Sequence, residues 1–269
     1  MINKRLYKWV ETQEKLSPWQ GGFRKRRGCN IQCFRLMTAI ANQFSNPKGY
    51  KSRQGRVFAS FVDFKKAYDS VQHHLLWERL AEHGVSKKLM NMLQKLYSNI
   101  FCRVKVNGFL SEEFRYKMGV RQGCIISPLL FNLFLDGITK ILLSENIGVN
   151  IGDVVLLLYA DDIILIAENE EDLQLLVKKL KVFCNESKMS VNIKKTKWMV
   201  FEQRPCQAYL NFSLFFDDEV IERVSQYKYL GTVFNANMNF SAHIDYILIK
   251  AEKSAFMFWK YTERFTINI

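Results

Sequence analysis

Val154–Ala167 reads VVLLLYADDIILIA, an apolar run interrupted at its centre by Asp161 and Asp162. Two adjacent carboxylates between β-prone aliphatic residues do not belong in a core, because an unpaired buried charge costs many kcal/mol. The stretch therefore predicts a hairpin in which Val154–Tyr159 enters, Ile163–Ala167 leaves and the acids stand at the bend. Such a tip holds two negative charges on a stiff support, which suits a divalent cation with oxygen ligands. Taken alone, an Asp-Asp turn is more often a solvated bend. The acids also argue against a membrane span, since they divide a run shorter than the roughly 20 residues a span needs.

A third carboxylate changes the balance. Asp63 closes another short apolar run, Val57–Val62, and is expected to stand at the end of a buried strand. Three acids in such surroundings could hold two Mg²⁺ ions about 3.5–4 Å apart, one activating an attacking hydroxyl and one steadying a leaving phosphate.

The 269 residues suffice for one large domain or two small ones, and a hydrophobic content of 48% can supply a core. The formal net charge of +13 is spread over several clusters, so phosphate is the natural partner. Neither an amphipathic basic anchor nor a signal sequence is apparent, which favours nucleic acid over a membrane. Six cysteines with no CxxC pair read as reduced thiols of an intracellular protein.

Along the chain, Met1–Leu16 reads as a short amphipathic helix. The glycine-flanked loop Gly21–Gly28 carries Arg24, Lys25 and Arg27, which could bring donors close to phosphate. Ile31–Phe44 is an expected helix, and Ser45–Arg56 a basic loop. Asp69-Ser70 is expected to cap a helix that stops at Gly84, and Ser86 another with Leu89, Met92, Leu93 and Leu96 inward. Asn107-Gly108 signals a hairpin. Val120–Pro128 reads as a loop with Gly123 for close backbone approach, and Ser127-Pro128 opens one helix, Leu129–Leu143. A helix from Glu171 turns Leu173, Leu176, Val177, Leu180 and Phe183 inward. Trp198–Phe201, Asn211–Val224 and Tyr227–Phe234 are expected strands, and Ser241–Thr262 the last helix.

Six segments in order form a pattern that resembles the reverse transcriptase domain of non-LTR retrotransposons, and is similar to group II intron reverse transcriptases. They are GGFRKRRGC at 21–29, FVDFKKAYDSVQHHLL at 61–76, GVRQGCIISPLLFNLFL at 119–135, YADD at 159–162, VNIKKTK at 191–197 and YKYLGTVF at 227–234. The resemblance implies an α+β right-hand polymerase: an antiparallel palm sheet backed by helices, partial fingers (1–56), a palm (57–235) and the start of a thumb (236–269). It also implies that Asp63 and Asp161 are the catalytic aspartates, with Asp162 supporting them, and that two Mg²⁺ ions, or Mn²⁺, are the cofactors.

By the same resemblance, Tyr68 is the aromatic gate that rejects a ribose 2′-hydroxyl, and Phe64, Ala67, Gln122 and Gly123 belong to the nucleotide pocket. Lys195 matches the lysine that protonates departing pyrophosphate, and Tyr229-Leu230-Gly231 the grip on the primer end. The partners implied are an RNA template, a DNA primer and a dNTP, in a nuclear or cytoplasmic ribonucleoprotein. Finger strands before residue 1, an endonuclease and other polyprotein domains are expected in a longer parent. Two competing readings are an inactive remnant that only binds nucleic acid and an unrelated two-metal phosphotransferase. The latter leaves fingers, gate and grip unexplained.

Overall fold

The computed structural model describes residues 2–45, 55–143, 156–203 and 212–263. The N-terminal stretch forms α1 (Ile2–Thr12), shorter than the sequence suggests, and α2 (Cys29–Ser45) follows the basic loop. Strand β1 (Val57–Val62) stops one residue before Asp63. Then come α3 (Ala67–Ser70), α4 (His73–Glu82) and α5 (Lys87–Ser98). Four short strands make the next hairpin: β2 (Phe101–Cys102), β3 (Lys105–Val106), β4 (Phe109–Leu110) and β5 (Phe114–Arg115).

Helices α6 (Ser127–Leu135) and α7 (Gly137–Leu143) precede the acidic hairpin, β6 (Leu156–Tyr159) and β7 (Asp162–Ala167). Helix α8 (Glu170–Ser187) and β8 (Lys197–Phe201) follow, then the hairpins β9 (Leu214–Phe216)–β10 (Glu219–Arg223) and β11 (Gln226–Tyr229)–β12 (Thr232–Asn235), and finally α9 (Ser241–Glu263). Val154 and Val155, most of the basic loop Ser45–Arg56, Cys206 and Asn211 lie outside the described residues.

Six strands form the central sheet in the order β6-β7-β1-β8-β10-β9. All neighbours run antiparallel except β8 and β10. Antiparallel strands usually alternate apolar and polar residues, but here the middle strands read as unbroken apolar runs because both faces of the sheet are covered. Phe58, Val62, Ile163, Leu165 and Trp198 face the layer that includes α6 and α8. Ala59, Phe61, Ile164 and Met199 face α2 and the β11–β12 hairpin. Burying each such large side chain stabilises by about 1.5–3 kcal/mol. Among the described residues, no helix is long and apolar enough to cross a membrane.

Several local expectations are corrected. Leu129–Leu143 is two helices, broken where the Asp136 carboxylate accepts the Ser17 N–H at 2.7 Å and Gly137 makes room for the Arg79 guanidinium. Asp69 and Ser70 lie within α3 rather than capping α4, because left-handed Lys66 starts the turn early. The inner face of α5 is Met90, Leu93 and Tyr97, while Met92 and Leu96 are exposed. The rotation is set by Tyr97, which packs edge-on against Trp77 and lies 3.3 Å from the Ser127 hydroxyl.

Candidate active site

Register brings the acids together. Val62 on β1 pairs with Ile163 on β7, so Asp63, one step further, comes level with Asp162 at the start of β7. Tyr159 pairs with Asp162 across a two-residue turn, Ala160-Asp161, in which Ala160 takes a left-handed φ of 54°. The hairpin read from the sequence is present, and the fold rather than local sequence supplies the third acid.

Asp63 is fixed through its peptide. Its N–H donates to the Thr196 hydroxyl at 3.1 Å, and its carbonyl accepts the Asn192 N–H at 2.7 Å. Phe64 bridges to Val191, and the Lys65 N–H donates to the Ser190 carbonyl. The Asn192 carbonyl in turn accepts the N–H groups of Lys195 and Thr196. This small turn carries Lys195 to the rim of the same pocket that Asp63 and Asp161 line.

That pocket has a volume of about 650 Å³. Besides Asp63, Asp161 and Lys195 it is walled by Phe64, Ala67, Tyr68 and Gln122, so seven of the residues singled out from the sequence meet there. Gly123, whose φ of 81° favours glycine, lines an adjoining concavity of about 440 Å³ that shares Tyr68 and Gln122 with the first. The Tyr68 ring stacks on Phe131 with centroids 4.4 Å apart, and among the described residues its buried hydroxyl has no hydrogen-bond partner. Gln122 Nε2 donates to Asp69 Oδ1 at 3.3 Å.

The electrostatics mark an uncompensated cluster. Burial, then the Asp161 and Asp63 charges, push the Asp162 carboxyl up to about 6. Burial foremost, with the Asp63 charge adding, also raises Asp161. The cluster reaches outward: burial and then the Asp162 and Asp63 charges push the Tyr227 hydroxyl up to about 12, and burial with the Asp161 charge raises Tyr68. Among the described residues, none of the three acids forms a salt bridge.

Among the described residues no group of three His, Cys, Asp or Glu side chains is placed to hold a metal ion, so the three acids as they stand are not a formed metal site. Their donor chemistry nevertheless suits a hard divalent cation: carboxylate oxygens, mutual repulsion and, among the described residues, no salt bridge to any of the three.

The sequence model of a family described as reverse transcriptase (RNA-dependent DNA polymerase) matches residues 1–234. The chain belongs to that family. It is 32% identical over 183 residues to the Pol polyprotein of the type-2 retrotransposable element R2DM of Drosophila melanogaster, an alignment covering 65% of this chain and 17% of that protein. It is 25% identical over 255 residues to the RNA-directed DNA polymerase of the mobile element jockey of Drosophila funebris, covering 91% and 26% respectively. The matched part of the chain thus spans between 11% and 27% of the length of the first five such relatives. In fold it is similar to telomerase from Candida tropicalis solved with a fragment of telomeric RNA. That match has a TM-score of 0.62 and 16% identity, covering 88% of this chain and 36% of that one. The central sheet and its helices are a reverse transcriptase palm.

In this reverse transcriptase domain the basic loop is not uniformly free for phosphate. Arg24 is buried, bonds both Glu11 carboxylate oxygens at 2.9 Å and donates to the Ser17 carbonyl at 2.8 Å, which corrects its reading as a phosphate ligand. The low-dielectric seat of the loop demands a paired charge there. Arg27 donates to the Pro18 carbonyl, and Lys25 stands exposed with its ammonium 6.0 Å from the Tyr7 ring.

Tyr229-Leu230-Gly231 forms the tight β11–β12 turn, with Leu230 and Gly231 at φ 45° and 90°. Tyr229 itself points into the core, so any grip here belongs to the turn and its backbone. The hairpin lies against the palm through Tyr227, stacked on Phe61 at 4.1 Å. Sequence reading missed Thr196, Asn192 and Gln20 as parts of the site's scaffold. A Gln directly before two glycines was the only signal for the last.

Proposed function

We propose that this domain is the catalytic core of an RNA-directed DNA polymerase that extends a DNA primer on an RNA template, within a longer retrotransposon polyprotein. The observation that carries the reading is one pocket lined by Asp63 and Asp161, with Tyr68, Gln122 and Lys195 around them. Asp63 and Asp161, supported by Asp162, would hold two Mg²⁺ ions, or Mn²⁺. When bound, such ions neutralise phosphate charge and lower the pKa of an attacking hydroxyl.

The chain's own groups do the rest. Exposed Lys65 and Lys66 line the pocket and offer positive charge to a triphosphate. Tyr68, braced by Phe131, forms a flat wall against which a deoxyribose fits and a 2′-hydroxyl collides. Gln122, tied to Asp69, and Gly123 shape the edge beside the nucleotide. Lys195, held on its turn by the Asn192 carbonyl, carries a proton toward the departing pyrophosphate. Positioning and electrostatic complementarity account for most of the acceleration in such a reaction.

Primer extension with oligo-dT on poly-rA, dTTP and Mg²⁺ tests this reading. Extension that vanishes in Asp161→Ala supports it. Gel-shift binding without extension, even when a finger segment from a relative is supplied, would leave only a nucleic-acid-binding remnant.

A further inference from the structure

We propose that Gln20 is a positioning residue for the catalytic turn: its side-chain carbonyl, with Gly22 packed behind, sets where Asp161 stands. The geometry is independent of the polymerase reading, and its consequence for catalysis rests on that reading.

The turn is the weak point of the hairpin. Ala160 occupies a left-handed conformation that residues with a β-carbon resist, so something outside the turn must hold it. Gln20 Oε1 accepts the Ala160 N–H at 3.0 Å and the Gly22 N–H at 2.8 Å. A β-carbon on Gly22 would collide with the Ala160 nitrogen, so only glycine lets the loop back onto the turn.

Gln20 is itself anchored from several sides. Its segment runs parallel along the β6 edge, where Leu158 donates to the Trp19 carbonyl at 3.1 Å and accepts the Gly21 N–H at 2.8 Å. Gln32 on α2 donates to the Leu158 carbonyl at 2.6 Å, and Asn132 on α6 donates to the Gly22 carbonyl at 2.7 Å. Elements from both sides of the sheet therefore brace the backbone on either side of Gln20, while among the described residues its own Nε2 has no hydrogen-bond partner. Gln20 is 1% exposed and does not line the pocket, so it acts through Ala160 and not on substrate. Leucine has the bulk but no acceptor.

The test uses the whole chain and three variants: Gln20→Leu, Gln20→Glu and the double variant Gln20→Leu/Ala160→Gly. Amide exchange at Ala160 reads the turn, Mn²⁺ titration followed by paramagnetic resonance reads the acids, and single-dTTP incorporation reads the consequence. In Gln20→Leu, exchange at residue 160 should accelerate at least about tenfold. Mn²⁺ affinity should weaken about tenfold, and kcat should fall about 10–100-fold with KM for dTTP within about twofold. Glycine at 160 accepts the left-handed φ unaided, so the double variant should regain most of the Mn²⁺ affinity and kcat.

A role confined to folding would lower the melting temperature and the active fraction without changing Mn²⁺ affinity per folded molecule, and glycine would restore nothing. Either result overturns the proposal, as does wild-type exchange at residue 160 in Gln20→Leu. If Gln20→Leu does not fold, Gln20→Glu keeps an acceptor and should keep Ala160 protected, and fast exchange there counts against the clamp. Should the wild type neither bind Mn²⁺ nor extend a primer, the polymerase reading falls, while exchange at Ala160 still judges Gln20.

Discussion

The peptide N–H of Asp63 donates to the hydroxyl of Thr196, which is fully buried, and this bond couples the first acid to the segment that carries Lys195. An acid just past a strand end would otherwise be free to swing. The strand delivers Asp63, and the 190–196 segment fixes its direction.

Thr196→Val keeps the shape of the side chain and removes the acceptor, leaving the Asp63 N–H unsatisfied. The expected cost is about 1–3 kcal/mol of stability, read as a shift in the urea midpoint. Primer extension should fall about tenfold or more, because misplacing one carboxylate suffices. Thr196→Ser, which retains the hydroxyl, should recover most of the rate. Equal losses in both variants would show that the methyl contact matters and the hydroxyl does not.

A different balance governs the acids themselves. Burial and then the Asp63 charge raise Asp161, burial and then the Asp161 and Asp63 charges raise Asp162, and among the described residues no salt bridge offsets them. Removing one charge relieves repulsion in the metal-free protein. Asp161→Asn is therefore expected to melt at the same temperature as wild type or higher, while extension drops by about a thousandfold. A lower melting temperature in metal-free buffer would count against an uncompensated cluster.

Much of this architecture was legible in the chain because the palm strands are unusually apolar. VFASFV before Asp63 and the runs flanking Asp161-Asp162 read as buried strands that end at acids. The pocket's membership, from Phe64 to Lys195, followed from ordered motifs rather than periodicity. Two things were not legible. Arg24 lies in a run of basic residues whose members look alike, and only the position of Glu11 on α1 decides which of them turns inward. The Asp136 break in the helix before β6 depends on a distant backbone donor, Ser17, that no local pattern reports.

The Arg24–Glu11 pair predicts a pH effect with a definite sign. The Arg24 hydrogen bond, ahead of its charge, holds the Glu11 carboxyl below the usual 4.5 although burial works the other way. A depressed folded-state pKa gives stability that is present above about pH 4.5 and lost as pH falls through the folded value. Glu11→Gln leaves the buried guanidinium without its charge and should cost about 1–3 kcal/mol near neutrality. The gap between wild type and variant should narrow below pH 4. Chemical denaturation at pH 7, 5 and 3.5 measures it, and a gap that stays constant across this range would remove the pair as the source.

Tyr68 separates two roles that one residue could play. Its ring is braced on Phe131, and its buried hydroxyl has no partner among the described residues, while burial and then the Asp161 charge disfavour ionisation. If bulk alone rejects the 2′-hydroxyl, Tyr68→Phe should keep sugar discrimination and lose little or no stability, since it deletes an unsatisfied group. Tyr68→Ala should admit ribonucleotides, lowering the ratio of kcat/KM for dTTP over UTP by about tenfold or more, because the wall itself is gone. Loss of discrimination in Tyr68→Phe would move the gate from the ring to the hydroxyl. Unchanged discrimination in Tyr68→Ala would take the residue out of the nucleotide pocket altogether.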